Sequence, residues 1–190
     1  MDTFQILERV GSILENLEIP FMLVGSFAST FHGRRRFTED ADLIVKMNQN
    51  QIEGFVQAFS GEFYIDRGLI EQAFANETSF NIIHLQSTFK VDFFILSRNS
   101  FHIEEFSRRA KQPLDPQTGF AVYIQTPEDS LLSKLKWYRQ GGEISENQWE
   151  DVISILKAQA GCLDINYLEK WAVELGISDL LEQAREEAGA

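Results

Sequence analysis

The chain carries a single cysteine, Cys162, among 190 residues. An intrachain disulfide is excluded, and a cysteine-based zinc centre, which draws on several thiolates, is not expected. Cys162 is read as a small buried or half-buried thiol near the start of the C-terminal helices. Positive charge is also scarce: 17 Lys and Arg face 29 Asp and Glu, a formal net charge of −12. Such a field repels a polyanion and argues against diffuse binding to nucleic acid. It leaves room for a local basic channel, and Arg34, Arg35 and Arg36 could form its rim. No apolar run approaches the roughly 20 residues needed to span a bilayer. Nor does a basic, then apolar, N-terminal segment precede a cleavage-like site. A cytoplasmic protein with no membrane partner is expected.

What is present is ordinary in amount and unusual in kind. Hydrophobic residues make up 44% and charged residues 24%, and 16 residues are Phe, so an aromatic-rich core is expected. This length can bury one substantial core, or a main domain with a helical appendage.

The most informative stretch runs from Phe21 to Val45, FMLVGSFASTFHGRRRFTEDADLIV. A short apolar strand, FMLV, meets a Gly-Ser turn, and a second strand opens on two carboxylates. Along an extended strand alternate side chains share a face, so Asp40 and Asp42 project to one side while Ala41 turns away. Two carboxylates so close repel, and the pair either shares a proton or is neutralised by a cation, usually a hard divalent ion. Gly25 permits a tight turn, and Ser26 can cap a short helix over SFASTFH. A helix N-terminus presents unpaired N–H groups suited to phosphate oxygens. A phosphate cradle joined to a metal-binding pair points to phosphoryl or nucleotidyl transfer.

Around this stretch the spacing predicts a helix over residues 3 to 18 with one apolar stripe, a helix from Gln51 to Phe59 with Asn48 as cap, and a short strand at 63–65. A helix or turn falls near Leu69 to Phe74. Strands Phe80–Leu85 and Phe89–Leu96 stand at hairpin spacing. In the second of these, Asp92 faces away from Val91, Phe93 and Ile95. An acid in so apolar a strand conflicts with its surroundings, and such conflicts cluster at functional sites, which makes Asp92 the third carboxylate. A helix around Ser100 to Ala110, a loop containing Pro113 and Pro116, and a strand Phe120–Ile124 complete this part. From Thr126 onward the patterns are helical, with Thr126, Ser145, Asp164 and Ser178 as caps and a break at Gly141-Gly142. The expected organisation is an α+β core over 1–125, a mixed or antiparallel sheet with flanking helices, and a C-terminal helical subdomain over 126–190.

Gly25-Ser26, then Asp40-Ala41-Asp42, then Asp92 in FKVDFFIL resembles the polymerase-beta-type nucleotidyltransferase superfamily. The run His32-Gly33, Arg36, Thr38, Asp40, Asp42 resembles its AbiEii-like branch, which includes toxins of toxin–antitoxin systems. So does the segment Pro127-Glu128-Asp129, Lys134, Trp137-Tyr138, Trp149 and Asp151. Arg35 stands where that branch is expected to carry Pro. The resemblance implies a nucleotidyltransferase fold and an Mg²⁺-dependent enzyme, with Mn²⁺ as a substitute ion, that moves a nucleoside monophosphate from a nucleoside triphosphate to an acceptor hydroxyl. Asp40, Asp42 and Asp92 would be the catalytic metal ligands of a two-metal site, and Gly25, Ser26, Arg36, Thr38 and Lys134 the nucleotide contacts. Asp151 or Glu150 would pair with Lys134 or Arg139, and Trp137 or Tyr138 could stack on a base. The acceptor stays open among tRNA, protein and small molecule, as does a homo-oligomer or a toxin or antitoxin partner. Two other readings remain at this point: a non-catalytic nucleotide- or partner-binding antitoxin-type module, and a metal-dependent phosphoesterase.

Overall fold

A computed structural model describes residues 2–34, 38, 40–114 and 119–189. In chain order its elements are α1 (Thr3–Asn16), β1 (Phe21–Val24), α2 (Gly25–His32), β2 (Asp40–Val45), α3 (Ile52–Phe59), β3 (Phe63–Tyr64), α4 (Arg67–Asn76), β4 (Ser79–His84) and β5 (Lys90–Ile95). There follow α5 (Ser100–Arg108), β6 (Ala110–Pro113), β7 (Ala121–Ile124), α6 (Pro127–Gln140), α7 (Glu146–Ala158), α8 (Ile165–Leu175) and α9 (Ser178–Ala188). They form two units, one of Met1–Val24 with Thr38–Ile124, the other of Gly25–Phe37 with Gln125–Ala190.

The first unit is the α+β body. Its sheet has seven strands in the order β3-β4-β5-β2-β1-β7-β6. Pairing is antiparallel except where β2 meets β5 and β1 meets β7. One face carries Leu43, Val45, Val91, Phe93, Phe80 and Ile82, all buried. Against it lies α3, whose Phe55 meets Phe93 at 5.3 Å and Phe80 at 5.5 Å between ring centroids, both edge to face. Phe80 stacks on Phe93 at 5.2 Å, so the abundant phenylalanine does build an aromatic core. Helix α1 begins in a capping box between Asp2 and Gln5 and packs so tightly at Gly11 that an added Cβ would lie 3.1 Å from the Phe120 ring. It ends at Asn16, short of the expected 18, because Glu18 adopts a left-handed φ of 53° that breaks the helical run.

On the opposite face Met22, Val24 and Ile44 are buried with Phe106 of α5, and Phe94 and Leu96 pack against them. Asn48 caps a single 3₁₀ turn, Gln49–Gln51, that leads into α3. Residues 67–76 form a full helix, with Asp66 accepting a hydrogen bond from the Leu69 amide, a cap missed in the sequence. The expected loop containing Pro113 is in part a strand. Edge strand β6 is held to β7 by backbone pairing, and Pro113 sits at its end, where a missing N–H is tolerated.

The second unit gathers α2 with the C-terminal helices. Thr126 caps α6 by accepting from the Asp129 amide, Ser145 caps α7 and Asp164 caps α8. Ser178 does not act as a cap: it is the first residue of α9, whose preceding residue, Ile177, supplies no side-chain oxygen. Cys162 is exposed rather than buried, because it lies in the turn between α7 and α8.

Candidate active site

Register places the acids of the first unit. The antiparallel pairing of β1 with β2 sets Val24 opposite Asp42, and the parallel pairing of β2 with β5 sets Asp42 beside Asp92 and Asp40 beside Lys90. Paired residues on neighbouring strands point to the same face, about 4.8 Å apart. Asp40, Asp42, Lys90 and Asp92 therefore occupy a two-by-two patch of one sheet face. The strands remain apolar further along, with Ile44 and Phe94 on this face among the residues packed around Phe106. The polar end of an otherwise buried face is where the chain places its charges. Thr38 helps fix the start of β2, its hydroxyl donating to the Asp40 carbonyl at 2.8 Å.

Lys90 was visible in the strand alternation, but sequence reasoning gave it no role. Its Nζ lies 2.7 Å from Asp92 Oδ2 and 3.7 Å from Asp40 Oδ2. The hydrogen bond to Asp92, with the charges of Asp92, Asp40 and Asp42, holds the ammonium pKa above the ordinary lysine range, although burial opposes it. Asp92 is the more enclosed of its two partners, with 18% of its side chain exposed against 44% for Asp40. As arranged, no group of three or more His, Cys, Asp or Glu side chains among the described residues could hold a metal ion. The donor chemistry nonetheless suits a hard cation, since carboxylate oxygens in adjacent register are what Mg²⁺ and Mn²⁺ take. What stands among those oxygens is the Lys90 ammonium.

The second unit holds other residues singled out in the sequence. Gly25 opens α2 with φ of 64°, a left-handed conformation that glycine adopts without a Cβ clash. Ser26 lies within the first turn of that helix, not ahead of it as a cap. Ser29 Oγ sits 3.2 Å from the Gly25 carbonyl, 3.1 Å from the Ser26 carbonyl and 3.2 Å from Asp151 Oδ2. Lys134 is buried, and its Nζ lies 2.9 Å from Asp151 Oδ2, so Asp151 is its partner. Glu150 instead meets Arg34 at 2.6 Å, and Arg139 pairs with Asp179 and Glu143. Arg36 lies outside the described residues.

His32 is buried, with Nε2 2.6 Å from the Gln125 carbonyl. A carbonyl only accepts, so Nε2 carries the hydrogen. Burial pushes the imidazole pKa down, outweighing the Gln125 hydrogen bond and the charge of Glu128. After it, Gly33 passes so close to α7 that an added Cβ would fall 2.4 Å from Ser154 Oγ and 3.0 Å from the Ile155 amide nitrogen. Trp137 is exposed, while the Tyr138 ring packs on Trp149 at 5.2 Å. His84 bonds Ser87, and His102 bonds Glu105.

No protein-family model matches the sequence, and no curated protein matches it. Solved structures do. The antibiotic-resistance factor ANT(2'')-Ia in solution aligns with a TM-score of 0.56 at 14% identity, over 98% of this chain and 100% of its own. The chain has the nucleotidyltransferase fold. The same factor in complex with adenylyl-2''-tobramycin gives a TM-score of 0.57 at 12% identity, over 90% of this chain and 95% of that one. An antigenic nucleotidyltransferase-like protein from Paracoccidioides brasiliensis gives 0.55 at 16% identity, over 95% and 91%. In this nucleotidyltransferase fold the acids are carried by the central strands β2 and β5. No helix among the described residues is long and apolar enough to cross a membrane.

Proposed function

We propose that the chain is a divalent-metal-dependent nucleotidyltransferase, acting in the cytoplasm, that moves a nucleoside monophosphate from a nucleoside triphosphate to an acceptor hydroxyl. The observation that carries this reading is the register of β2 with β5, which sets Asp42 beside Asp92 and leaves Asp40 on the same face, in a nucleotidyltransferase fold. Asp40, Asp42 and Asp92 are the residues that would hold Mg²⁺, or Mn²⁺ in its place. When bound, the ion supplies charge neutralisation of the triphosphate and of the attacking oxygen. Asp92, less exposed than Asp40, takes the proton from the acceptor hydroxyl. The acceptor oxygen bonds to the α-phosphorus as the bond from that phosphorus to the β-phosphate oxygen breaks, and pyrophosphate leaves.

Phosphate contacts are assigned to Gly25 and Ser26 at the start of α2, and to Thr38, Arg36 and Lys134, following the resemblance. The resemblance of His32-Gly33, Arg36, Thr38, Asp40 and Asp42, and of the segment from Pro127 to Asp151, supports the AbiEii-like branch as our reading, with a toxin–antitoxin role and a toxin or antitoxin partner as the corresponding proposal. The acceptor class is an RNA end, a protein or a small molecule. The Lys90–Asp92 ion pair is the observation that favours a second reading, a non-catalytic nucleotide- or partner-binding module in which Asp92 is paired within the chain.

Binding of each ribonucleoside triphosphate, with and without Mg²⁺, to wild type and to the Asp40→Asn/Asp42→Asn variant decides between them. Mg²⁺-dependent binding lost in the variant supports the enzyme. Binding indifferent to both supports the module. With the preferred nucleotide in hand, Asp92→Asn should abolish pyrophosphate release while keeping most nucleotide binding, and wild-type turnover in that variant would refute the three-carboxylate assignment.

A further inference from the structure

Sheet register carries the acid-bearing face two strands beyond the acids themselves. The antiparallel pairing of β4 with β5 sets Asn81 beside Asp92 and Ile83 beside Lys90, and the pairing of β3 with β4 sets Tyr64 beside Ile83. Paired residues share a face, so Asn81 and Ile83 stand one strand, about 5 Å, from β5 on the side of Asp92, and Tyr64 two strands, about 10 Å. The other side of these strands is core, with Phe63, Phe80, Ile82 and Phe93 buried. The acid side is open: Asn81 is exposed, Ile83 half-buried and Tyr64 57% exposed. Among the described residues, none hydrogen-bonds to the Tyr64 hydroxyl or the Asn81 carboxamide.

An exposed aromatic ring takes the apolar face of another ring, and a carboxamide both donates and accepts, which suits neighbouring hydroxyls. Neither β3, FY, nor β4, SFNIIH, carries a lysine or arginine, and the chain as a whole is acidic. A nucleic acid, gripped mainly through its phosphates, finds no cation on these two strands. An uncharged sugar needs none. Resting on the nucleotidyltransferase reading, we propose that Tyr64, Ile83 and Asn81 form the acceptor platform and that the acceptor is a small uncharged sugar. Its ring lies on Tyr64 and Ile83, and a hydroxyl held by Asn81 reaches Asp92. That hydroxyl's oxygen bonds to the α-phosphorus, pyrophosphate leaves, and the proton passes to Asp92.

The test gives the full chain Mg²⁺, each ribonucleoside triphosphate labelled at its α-phosphate, and two probes, a mixture of methyl hexopyranosides and total tRNA. Wild type is compared with Tyr64→Ala, Asn81→Ala and Leu69→Ala, the last removing an exposed apolar side chain from α4. Tyr64 and Asn81 are exposed, so alanine leaves no cavity at either, and circular dichroism checks that the variants fold. Label on a glycoside, with KM for it raised about tenfold in Tyr64→Ala and in Asn81→Ala and unchanged in Leu69→Ala, supports the proposal. Label on tRNA alone or on neither probe, or a glycoside KM that the two variants leave unmoved, overturns it. Triphosphate binding measured alongside separates the two failures. Where it persists and depends on Mg²⁺, the nucleotidyltransferase reading stands without this acceptor; where it is absent, both fall.

Discussion

Replacing Asp151 by Asn tests the polar core of the second unit. The Lys134 Nζ lies 2.9 Å from Asp151 Oδ2, with only 8% and 4% of the two side chains exposed. Asparagine keeps the shape of the site and removes the charge, so packing losses are small and the change isolates the uncompensated ammonium. Breaking a buried pair from one side costs about 3–5 kcal/mol, and the amide oxygen that remains places Asp151→Asn near the lower end, about 3 kcal/mol. At a urea dependence of about 2–3 kcal/mol per molar, the midpoint should fall by about 1–1.5 M. The assay is tryptophan fluorescence in urea: the chain's three tryptophans, Trp137, Trp149 and Trp171, all belong to this unit. A Lys134→Met/Asp151→Leu variant removes both charges and should lie within about 1 kcal/mol of wild type. Ser29 then keeps its contacts with the Gly25 and Ser26 carbonyls. A shift in Asp151→Asn below about 0.3 M, under about 1 kcal/mol at that slope, would refute the argument. The double variant also separates roles: if Lys134 serves a phosphate, it folds yet fails to bind nucleotide.

Phe93→Ala should destabilise the first unit by about 3–5 kcal/mol, measured by circular dichroism in denaturant, because its fully buried ring meets Phe55 at 5.3 Å and Phe80 at 5.2 Å. His32, its pKa lowered by burial, takes up a proton more readily when unfolded, so its contribution to stability is complete above about pH 6.5 and is lost as the pH falls below it. The slope should not exceed about 1.4 kcal/mol per pH unit, and denaturation series should show it flattened in His32→Gln. Gly33→Ala should lower stability by about 1–3 kcal/mol in the same assay, since its Cβ meets Ser154 Oγ at 2.4 Å and backbone of Ile155 at 3.0 Å.

Much of the fold was legible because its signals are local. Thr126, Ser145 and Asp164 cap helices through hydrogen bonds three residues long, and such caps read directly from spacing. The hairpin of β4 and β5 followed from two apolar runs around Gln86, Ser87 and Thr88, and the pairing is present. Where the local signal was weak, the reading failed. Strand β6, AKQP, has no apolar alternation and exists through its pairing with β7, and α9 begins without the side-chain cap that Ser178 suggested. Helix α2 is grouped with the C-terminal helices, Ser29 meeting Asp151 of α7 and His32 the Gln125 carbonyl just ahead of α6, a grouping that no composition shift along the chain announces.

For the site, the sequence by itself determined which side chains share a face within each strand. Strand periodicity puts Asp40 with Asp42, and sets Asp92 opposite Val91 and Phe93, whatever the neighbours are. Only the tertiary structure decided that β2 lies parallel to β5 in the register that joins Asp42 to Asp92 and Asp40 to Lys90, and that Lys134 is buried on Asp151. Periodicity is a property of one strand, fixed by its own backbone. Register and burial are properties of pairs of segments far apart in the chain, fixed by the apolar area and hydrogen bonds gained when those segments meet.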